Sequence, residues 1–318
     1  MKALVTGAAG FIGSHLSSAL LERGATVVGV DAFTDYYARE IKTSNLAPLM
    51  ANPSFTLVEG ALQTMALEPV LEGVTHIFHL AAQAGVRKSW GADFRVYTTN
   101  NIEATQRLLE AVKGRPLTRF VYASTSSVYG DDAPMPMHEE LPLHPVSPYG
   151  VTKLAAEHLC YLYQVNYGIP TVALRYFTVY GPRQRPDMGF HRFIRAALTG
   201  QPVSLYGDGD QTRDFTYVSD AVAGTVAAGD RGRVGAVYNL GGGSRVSVND
   251  VLALIGRVTG KSLNIRREDV QKGDMRDTFA DTTRARQELG FAPAFSLEAG
   301  ISAECAWLTG LISAEARR

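Results

Sequence analysis

Gly7-Ala8-Ala9-Gly10-Phe11-Ile12-Gly13 follows a short apolar run, Lys2–Thr6, and leads into a helical stretch, Ile12–Glu22. A helix start offers unpaired N–H groups and a positive dipole end, and positions without side chains let a pyrophosphate approach the backbone. Asp31 ends the next strand about 20 residues on, where its carboxylate can accept hydrogen bonds from ribose hydroxyls. Its charge would also repel a 2′-phosphate. Gly7, Gly10, Phe11, Ile12, Gly13 and Asp31 therefore read as an NAD site. Farther along, Tyr149 and Lys153 stand four residues apart, so on a helix they share one face. A tyrosine with pKa about 10 is a poor base at neutral pH. A nearby ammonium and the positive nicotinamide ring would both favour its phenolate and make it a proton acceptor.

Tyr-x-x-x-Lys by itself also occurs as surface decoration. What gives it weight is Val121-Tyr122-Ala123-Ser124-Thr125-Ser126-Ser127, a strand whose carboxyl end carries hydroxyls, where a doubly wound sheet opens its ligand crevice. Thr125 is the candidate third catalytic hydroxyl.

The elements that must position these residues are legible as a rhythm. Strands are predicted at Lys2–Thr6, Thr26–Val30, Phe55–Glu59, His76–Leu80, Arg119–Ala123 and Thr171–Arg175, with helices at Ile12–Glu22, Asn101–Lys113 and Gly150–Tyr167. Such alternation implies an α/β fold, a Rossmann doubly wound parallel sheet with right-handed crossovers. After Arg175 the rhythm changes. Helices are predicted at His191–Thr199, Val248–Val258 behind an N-cap at Ser247, Thr282–Leu289 and Leu297–Leu308, with strands at Val203–Tyr206 and Val237–Leu240. The expected organisation is a Rossmann domain over 1–175, receiving segments from about 211–240, and a smaller C-terminal α/β substrate lobe over 176–318.

Hydrophobic residues at 46% and charged residues at 19% describe an ordinary globular chain. The zero formal net charge excludes the electrostatic signature of nucleic-acid or anionic-membrane binding. No apolar run reaches the roughly 20 residues of a membrane helix and no leader is read ahead of the first strand, so a cytoplasmic protein is expected. Cys160 and Cys305 read as buried thiols, His79 as a core histidine, and the remaining histidines lack metal-ligand spacing, so no metal is expected. Gly241-Gly242-Gly243 reads as loop closure and Arg231–Arg233 as a solvated turn.

Over essentially the whole chain the sequence resembles the extended short-chain dehydrogenases/reductases of the sugar-nucleotide epimerase and dehydratase group. The likeness is carried by the glycine motif, His79-Leu80-Ala81-Ala82, Asn101, the Thr125/Tyr149/Lys153 set, Leu174-Arg175-Tyr176-Phe177, Arg213-Asp214-Phe215 and Gly273-Asp274. It implies NAD held by Leu62, Leu80, Ala81, Ala82, Asn101, Tyr149, Lys153 and Tyr176 besides the glycine loop and Asp31. It also implies a nucleoside diphosphate sugar in the second lobe and a homodimer joined by a four-helix bundle of Asn101–Lys113, Gly150–Tyr167 and their copies. Gln83-Ala84-Gly85-Val86-Arg87, Tyr176-Phe177-Thr178-Val179-Tyr180-Gly181-Pro182-Arg183 and Arg185-Pro186-Asp187-Met188 are similar to UDP-glucuronate 4-epimerases. Two departures are present. Relatives carry Asp where Ala61 stands and Gly at Ala104, so the adenine loses a side-chain contact.

The group shares oxidation at C4 of the sugar and differs in the next step. Dehydratases carry Asp-Glu beside the threonine and decarboxylases a glutamate nearby, where this chain has Ser126-Ser127. That leaves 4-epimerisation. Ser126, Ser127 and Thr178 are expected to hold a uronate carboxylate out of line with the C4 carbonyl, so that it is retained; loop capping is their plainer role. Arg185 and Arg213 are expected at the diphosphate and Asp274 at the uridine ribose. Arg87 reads as a sugar or phosphate contact or a surface ion pair, and Phe190, Phe193 and Tyr206 as walls of the base pocket or as core. UDP-glucose 4-epimerisation is the competing enzymatic reading, and a non-catalytic NAD sensor the competing class.

Overall fold

A computed structural model describes residues 1–316. Its centre is a seven-stranded sheet in the order Val237–Leu240, β6 (Thr171–Tyr176), β5 (Arg119–Thr125), β4 (His76–His79), β1 (Lys2–Thr6), β2 (Thr26–Asp31) and β3 (Phe55–Glu59). All neighbouring strands run parallel. Side chains alternate faces along each strand. Ala3 and Val5 enter one core layer, while Leu4 enters the other, so both faces of β1 are covered by helices. The chain leaves β1 for β2 on one side and later returns to β4 on the other. The strand order therefore reverses beside β1, and the crevice opens at the carboxyl ends of these strands.

Helix α1 (Phe11–Glu22) begins directly at the glycine loop. Helix Pro148–Tyr167 has a complete set of stops and starts. The Ser147 hydroxyl accepts from the Gly150 N–H at 3.1 Å, Pro148 occupies the first turn, and Gly168 ends the helix at φ +68°. The predicted strands stand with ends shifted by no more than two residues.

Several expectations change. Helix α2 (Arg39–Met50) was not anticipated, because its mean hydropathy is low and Pro48 lies inside it; it is held by burial of Leu46 and Leu49. A helix over Val218–Arg231 packs against α1 across one face of the sheet. The stretch expected as Asn101–Lys113 starts earlier and is interrupted: Phe94–Tyr97 is helical, Thr98–Glu103 forms a wide π turn, and Ala104–Ala111 resumes the α-helix. Arg231 and Arg233 are exposed, as a solvated turn requires, and the segment is also tied down. The Arg231 guanidinium donates to the Leu289 carbonyl and Arg233 pairs with Glu288 at 3.3 Å, tying the segment to helix Thr283–Leu289.

The second half supplies a smaller layer. Val203–Tyr206 pairs in parallel with Ile265–Glu268. Helices Gly189–Thr199, Val248–Thr259 and Leu297–Glu315 pack through Ile194, Ile255 and Ile301, all fully buried. Ser247 caps the second of these, accepting from the Asp250 N–H at 3.0 Å.

Candidate active site

A cavity of about 400 Å³ runs along the carboxyl edge of the sheet. Its wall includes Gly7, Gly10, Phe11, Ile12, Gly13, Asp31 and Leu62 from the first strands and the glycine loop, Leu80, Ala81, Ala82, Thr125, Ser126 and Ser127 from β4 and β5 and the segments that follow them, and Tyr149, Lys153, Tyr176, Thr178 and Arg185.

The glycine loop leaves no room for side chains. Gly7 sits at φ +72°, and a Cβ there would lie 3.0 Å from the Ala81 nitrogen; one at Gly13 would overlap the Gly7 carbonyl. Loop and helix start thus press together and leave a backbone cradle facing the cavity, which suits a pyrophosphate. Asp31 is only 6% exposed and highly ordered: its Oδ2 accepts from the Ala9 N–H at 3.1 Å, and its Oδ1 from the Phe33 N–H at 2.8 Å. Lys42 on α2 reaches the same Oδ1 at 3.2 Å. This amends the expectation of simple repulsion of a 2′-phosphate. With Lys42 beside it the local charge is largely cancelled, so Asp31 would discriminate by accepting ribose hydroxyls. The residues present fit a dinucleotide carrying free ribose hydroxyls.

Tyr149 is brought to Thr125 by the closeness of helix Pro148–Tyr167 to the end of β5. A Cβ on Gly150 would stand 2.6 Å from the Ser127 carbonyl oxygen, so only glycine permits that approach. The Thr125 hydroxyl accepts from the Ser127 N–H at 3.2 Å and lies 3.3 Å from the Ser127 hydroxyl. Burial raises the pKa of the Tyr149 phenol, while Thr125 and the charge of Arg185 pull it back. Lys153 is 3% exposed, and burial brings its pKa down to about 7. Its ammonium rests 4.3 Å from the centre of the Tyr122 ring. Arg185 thus adds a second cation whose charge favours a Tyr149 phenolate.

Other expected residues lie outside the cavity wall. Asn101 is 1% exposed and spent on the protein: it accepts from the Gln83 N–H at 2.7 Å and donates to the Gln83 carbonyl at 3.1 Å and the Thr152 hydroxyl at 2.9 Å. It positions the Gln83 loop and the Tyr149 helix, while its neighbour Asn100 lines the cavity. Phe190 stacks between Tyr180 and Phe215, with ring centres 4.8 and 4.7 Å away, and Phe193 is buried beside it in the lobe's core. Both are packing residues here rather than pocket walls.

Arg87, Tyr206, Arg213 and Asp274 gather in a separate cluster. Arg87 donates twice to Asp274 Oδ2, at 3.1 and 2.7 Å, and lies 4.1 Å over the Tyr206 ring. Arg213 donates to the carbonyls of Thr212, Met275 and Arg276. Gly273 packs on Val86, which lines the cavity, so this cluster adjoins its mouth.

Sequence reading missed Thr34, Tyr36, Tyr37, Lys42, Gln63 and Asn100, all on the cavity wall. The Tyr36-Tyr37 pair soon after Asp31 was the available signal. His79 is a core histidine, between the hydroxyls of Thr6 and Thr105 at 2.7 and 2.9 Å, and burial lowers its pKa to about 3. Both cysteines are buried. Gly241–Gly243 closes a loop on Asp214, whose Oδ1 accepts from the Gly242 and Gly243 N–H groups at 2.7 and 3.1 Å. Among the described residues there is no cluster of metal-binding side chains and no helix long and apolar enough to cross a membrane.

The chain is similar to known proteins over nearly all of its length. The chain is 47% identical to a Bacillus subtilis protein named as an uncharacterized UDP-glucose epimerase, YtcB, over 99% of this chain and 100% of that one. It is 39% identical to a UDP-glucuronate 4-epimerase of Thermodesulfobacterium geofontis, over 96% and 95%. Among solved structures, the UDP-glucuronic acid 4-epimerase of Bacillus cereus, in complex with UDP-glucuronic acid and NAD, superposes with a TM-score of 0.95 at 46% identity, covering 98% of this chain and 100% of that one. Residues 3–241, from the first strand through the seventh, match a single family model. With the glycine cradle, the Tyr149 helix and the strand order in agreement, the chain belongs to the NAD dependent epimerase/dehydratase family.

Proposed function

We propose that the chain is an NAD-dependent 4-epimerase that interconverts UDP-glucuronate and UDP-galacturonate through a transient 4-keto sugar. One observation carries this reading. The cavity wall that holds Tyr149 also offers Thr125, Ser126, Ser127, Thr178 and Arg185, and the one carboxylate among the described lining residues is Asp31, which is engaged by the Ala9 and Phe33 N–H groups and by Lys42. Dehydration needs an acid and a base beside the reacting carbons. This wall supplies hydroxyls and a guanidinium instead.

NAD, when bound, accepts the C4 hydride and returns it to the opposite face of the sugar. It would be held by Gly7, Gly10, Phe11, Ile12, Gly13, Asp31 and Leu62. Tyr149 takes the proton of the C4 hydroxyl, Thr125 shares it, and the proton returns once the keto sugar has turned over. Lys153, kept dry beneath Tyr149, stands ready to orient a ribose. Arg185 lines the same cavity as Tyr149, Ser126, Ser127 and Thr178. We therefore read it as a partner of the sugar carboxylate, with Ser126, Ser127 and Thr178, rather than of the diphosphate first expected. A bidentate guanidinium–carboxylate contact fixes the plane of the carboxylate and with it the fate of the C5–C6 bond. Arg213, Arg87 and Asp274 remain the diphosphate and uridine side.

The division into a Rossmann part over 1–175 with segments from 211–240 and a nucleotide-sugar lobe over 176–318 is part of the same proposal. So is a homodimer. Helix Pro148–Tyr167 leaves Tyr161, Leu162 and Val165 half or more exposed, an apolar stripe suited to the same helix of a second copy. NAD and nucleotide sugars are intracellular metabolites, which favours a cytoplasmic setting.

The Bacillus subtilis relative named for UDP-glucose supports a second reading, epimerisation of the neutral sugar. Incubation with each nucleotide sugar in parallel separates the two. Formation of UDP-galacturonate from UDP-glucuronate, with UDP-glucose left unchanged, is the expected result. Turnover of UDP-glucose alone would reverse the assignment.

A further inference from the structure

The loop between β2 and α2 lines the cavity and reaches the Arg185–Asp187 segment. Phe33 takes a left-handed turn at φ +48°, and Tyr36 and Tyr37 then line the cavity beside Arg185. The Tyr36 hydroxyl donates to Asp187 Oδ2 at 3.3 Å. Asp187 in turn holds the Arg185 guanidinium by both oxygens: Nε to Oδ1 and Nη2 to Oδ2, each at 3.0 Å. The Arg185 guanidinium lies 5.8 Å from the centre of the Tyr36 ring. Gly85, at φ +103°, makes the approach possible, since a Cβ there would stand 2.5 Å from the Tyr36 hydroxyl oxygen. Burial and the Asp187 charge both raise the Tyr36 pKa, so the phenol stays a donor.

This grip is specific. A fork-to-fork pair sets the plane of a guanidinium as well as its place. Asp187 takes the Nε–H and one Nη2–H, so the two Nη1–H groups and the second Nη2–H, the outer edge of the guanidinium, are left outside the grip. An arginine needed only for its charge would not require such bracing from two lobes.

Resting on the uronate reading above, we infer that Tyr36 and Asp187 are positioning residues which aim Arg185 at the sugar carboxylate and so decide whether the oxidised sugar keeps it. Without that aim, the carboxylate of the 4-keto sugar can swing its C5–C6 bond into line with the carbonyl. The bond then breaks, its electron pair passes into the C4–C5 enolate, C6 leaves as carbon dioxide, and a solvent proton adds at C5. The product is a UDP-4-keto-pentose, with the C4 hydride retained on the reduced cofactor.

The test compares wild type, Asp187→Asn and Tyr36→Phe, each checked for fold by circular dichroism. Products from UDP-glucuronate are resolved into epimer and keto-pentose, and calorimetry gives affinities for UDP-glucuronate and for UDP. In Asp187→Asn the keto-pentose share is expected to rise about tenfold or more, with UDP-glucuronate affinity falling several-fold and UDP affinity steady. Tyr36→Phe should move the same readouts in the same direction by less. Slower turnover at an unchanged product ratio and affinity ratio would reduce both residues to packing and overturn the inference. Wild type inert towards UDP-glucuronate would instead overturn the uronate reading, and this inference with it.

Discussion

Glu157 lies one helical turn beyond Lys153 and receives two hydrogen bonds from Arg175, Nη2 to Oε1 at 2.6 Å and Nε to Oε2 at 3.2 Å. Ser124 donates to the same carboxylate at 2.6 Å. Both charged side chains are nearly sealed, at 7% and 3% exposed, so the pair joins helix Pro148–Tyr167, which carries Tyr149 and Lys153, to β5 and β6. Breaking a buried pair from one side strands the other charge. Glu157→Gln is expected to lose roughly 3–5 kcal/mol, read as a shifted midpoint in urea unfolding.

Tyr149→Phe removes the proton acceptor and keeps the ring. General-base loss of this kind lowers kcat by about 10²–10⁴-fold. KM should move little, because Thr178, Arg185 and the Arg213 side of the site are untouched. A quenched assay separating C4 epimers measures both.

Burial sets Lys153 near pKa 7, well below the ordinary lysine value of 10.5. Above that ordinary value the side chain is neutral whether folded or not, and burial of charge costs nothing. As pH falls towards 7 the unfolded chain binds a proton that the folded chain resists, so folding loses stability progressively. Lys153→Met is therefore expected to stabilise the ligand-free protein at pH 6 and to lose that advantage by pH 10.5, while abolishing turnover. Thermal unfolding at the two pH values shows it; an equal shift at both would contradict the buried charge.

Ala61 follows β3 beside Leu62, whose side chain is 3% exposed on the cavity wall. Ala61→Asp would supply the carboxylate that the family resemblance implies beside the adenine. We expect several-fold tighter NAD retention, a fraction of a kcal/mol up to about 1.5 kcal/mol for one hydrogen bond, measured as NAD remaining after gel filtration. Unchanged retention would mean that packing on Leu62 already serves the adenine.

Legibility followed distance along the chain. The seven strands of the sheet were readable because parallel strands buried on both faces are short apolar runs, as Ile77-Phe78 shows between His76 and His79. Ser247 was readable as a cap because an N-cap works within three residues. Helix α2 was not, since its polar composition and Pro48 hide an apolar stripe only two residues wide at its core. Nor was the exchange of Asn100 for Asn101 on the cavity wall, because a π turn changes the phase of a helix without altering its composition. Phe190 looked like a base-pocket wall in one dimension and is the middle of a three-ring stack in three. The grip of Tyr36 on Asp187 spans 151 positions and left no local trace.

Val237–Leu240 returns from the far part of the chain to lie beside β6, with Tyr238 opposite Leu174 and Asn239 opposite Arg175. On the division proposed above, the substrate lobe cannot be appended or traded as a single cassette. Any chimera that borrows the Arg185 and Arg213 regions from a relative with another sugar preference has to be spliced at two seams. If the second seam is omitted, β6 becomes a bare sheet edge open to pairing with other chains.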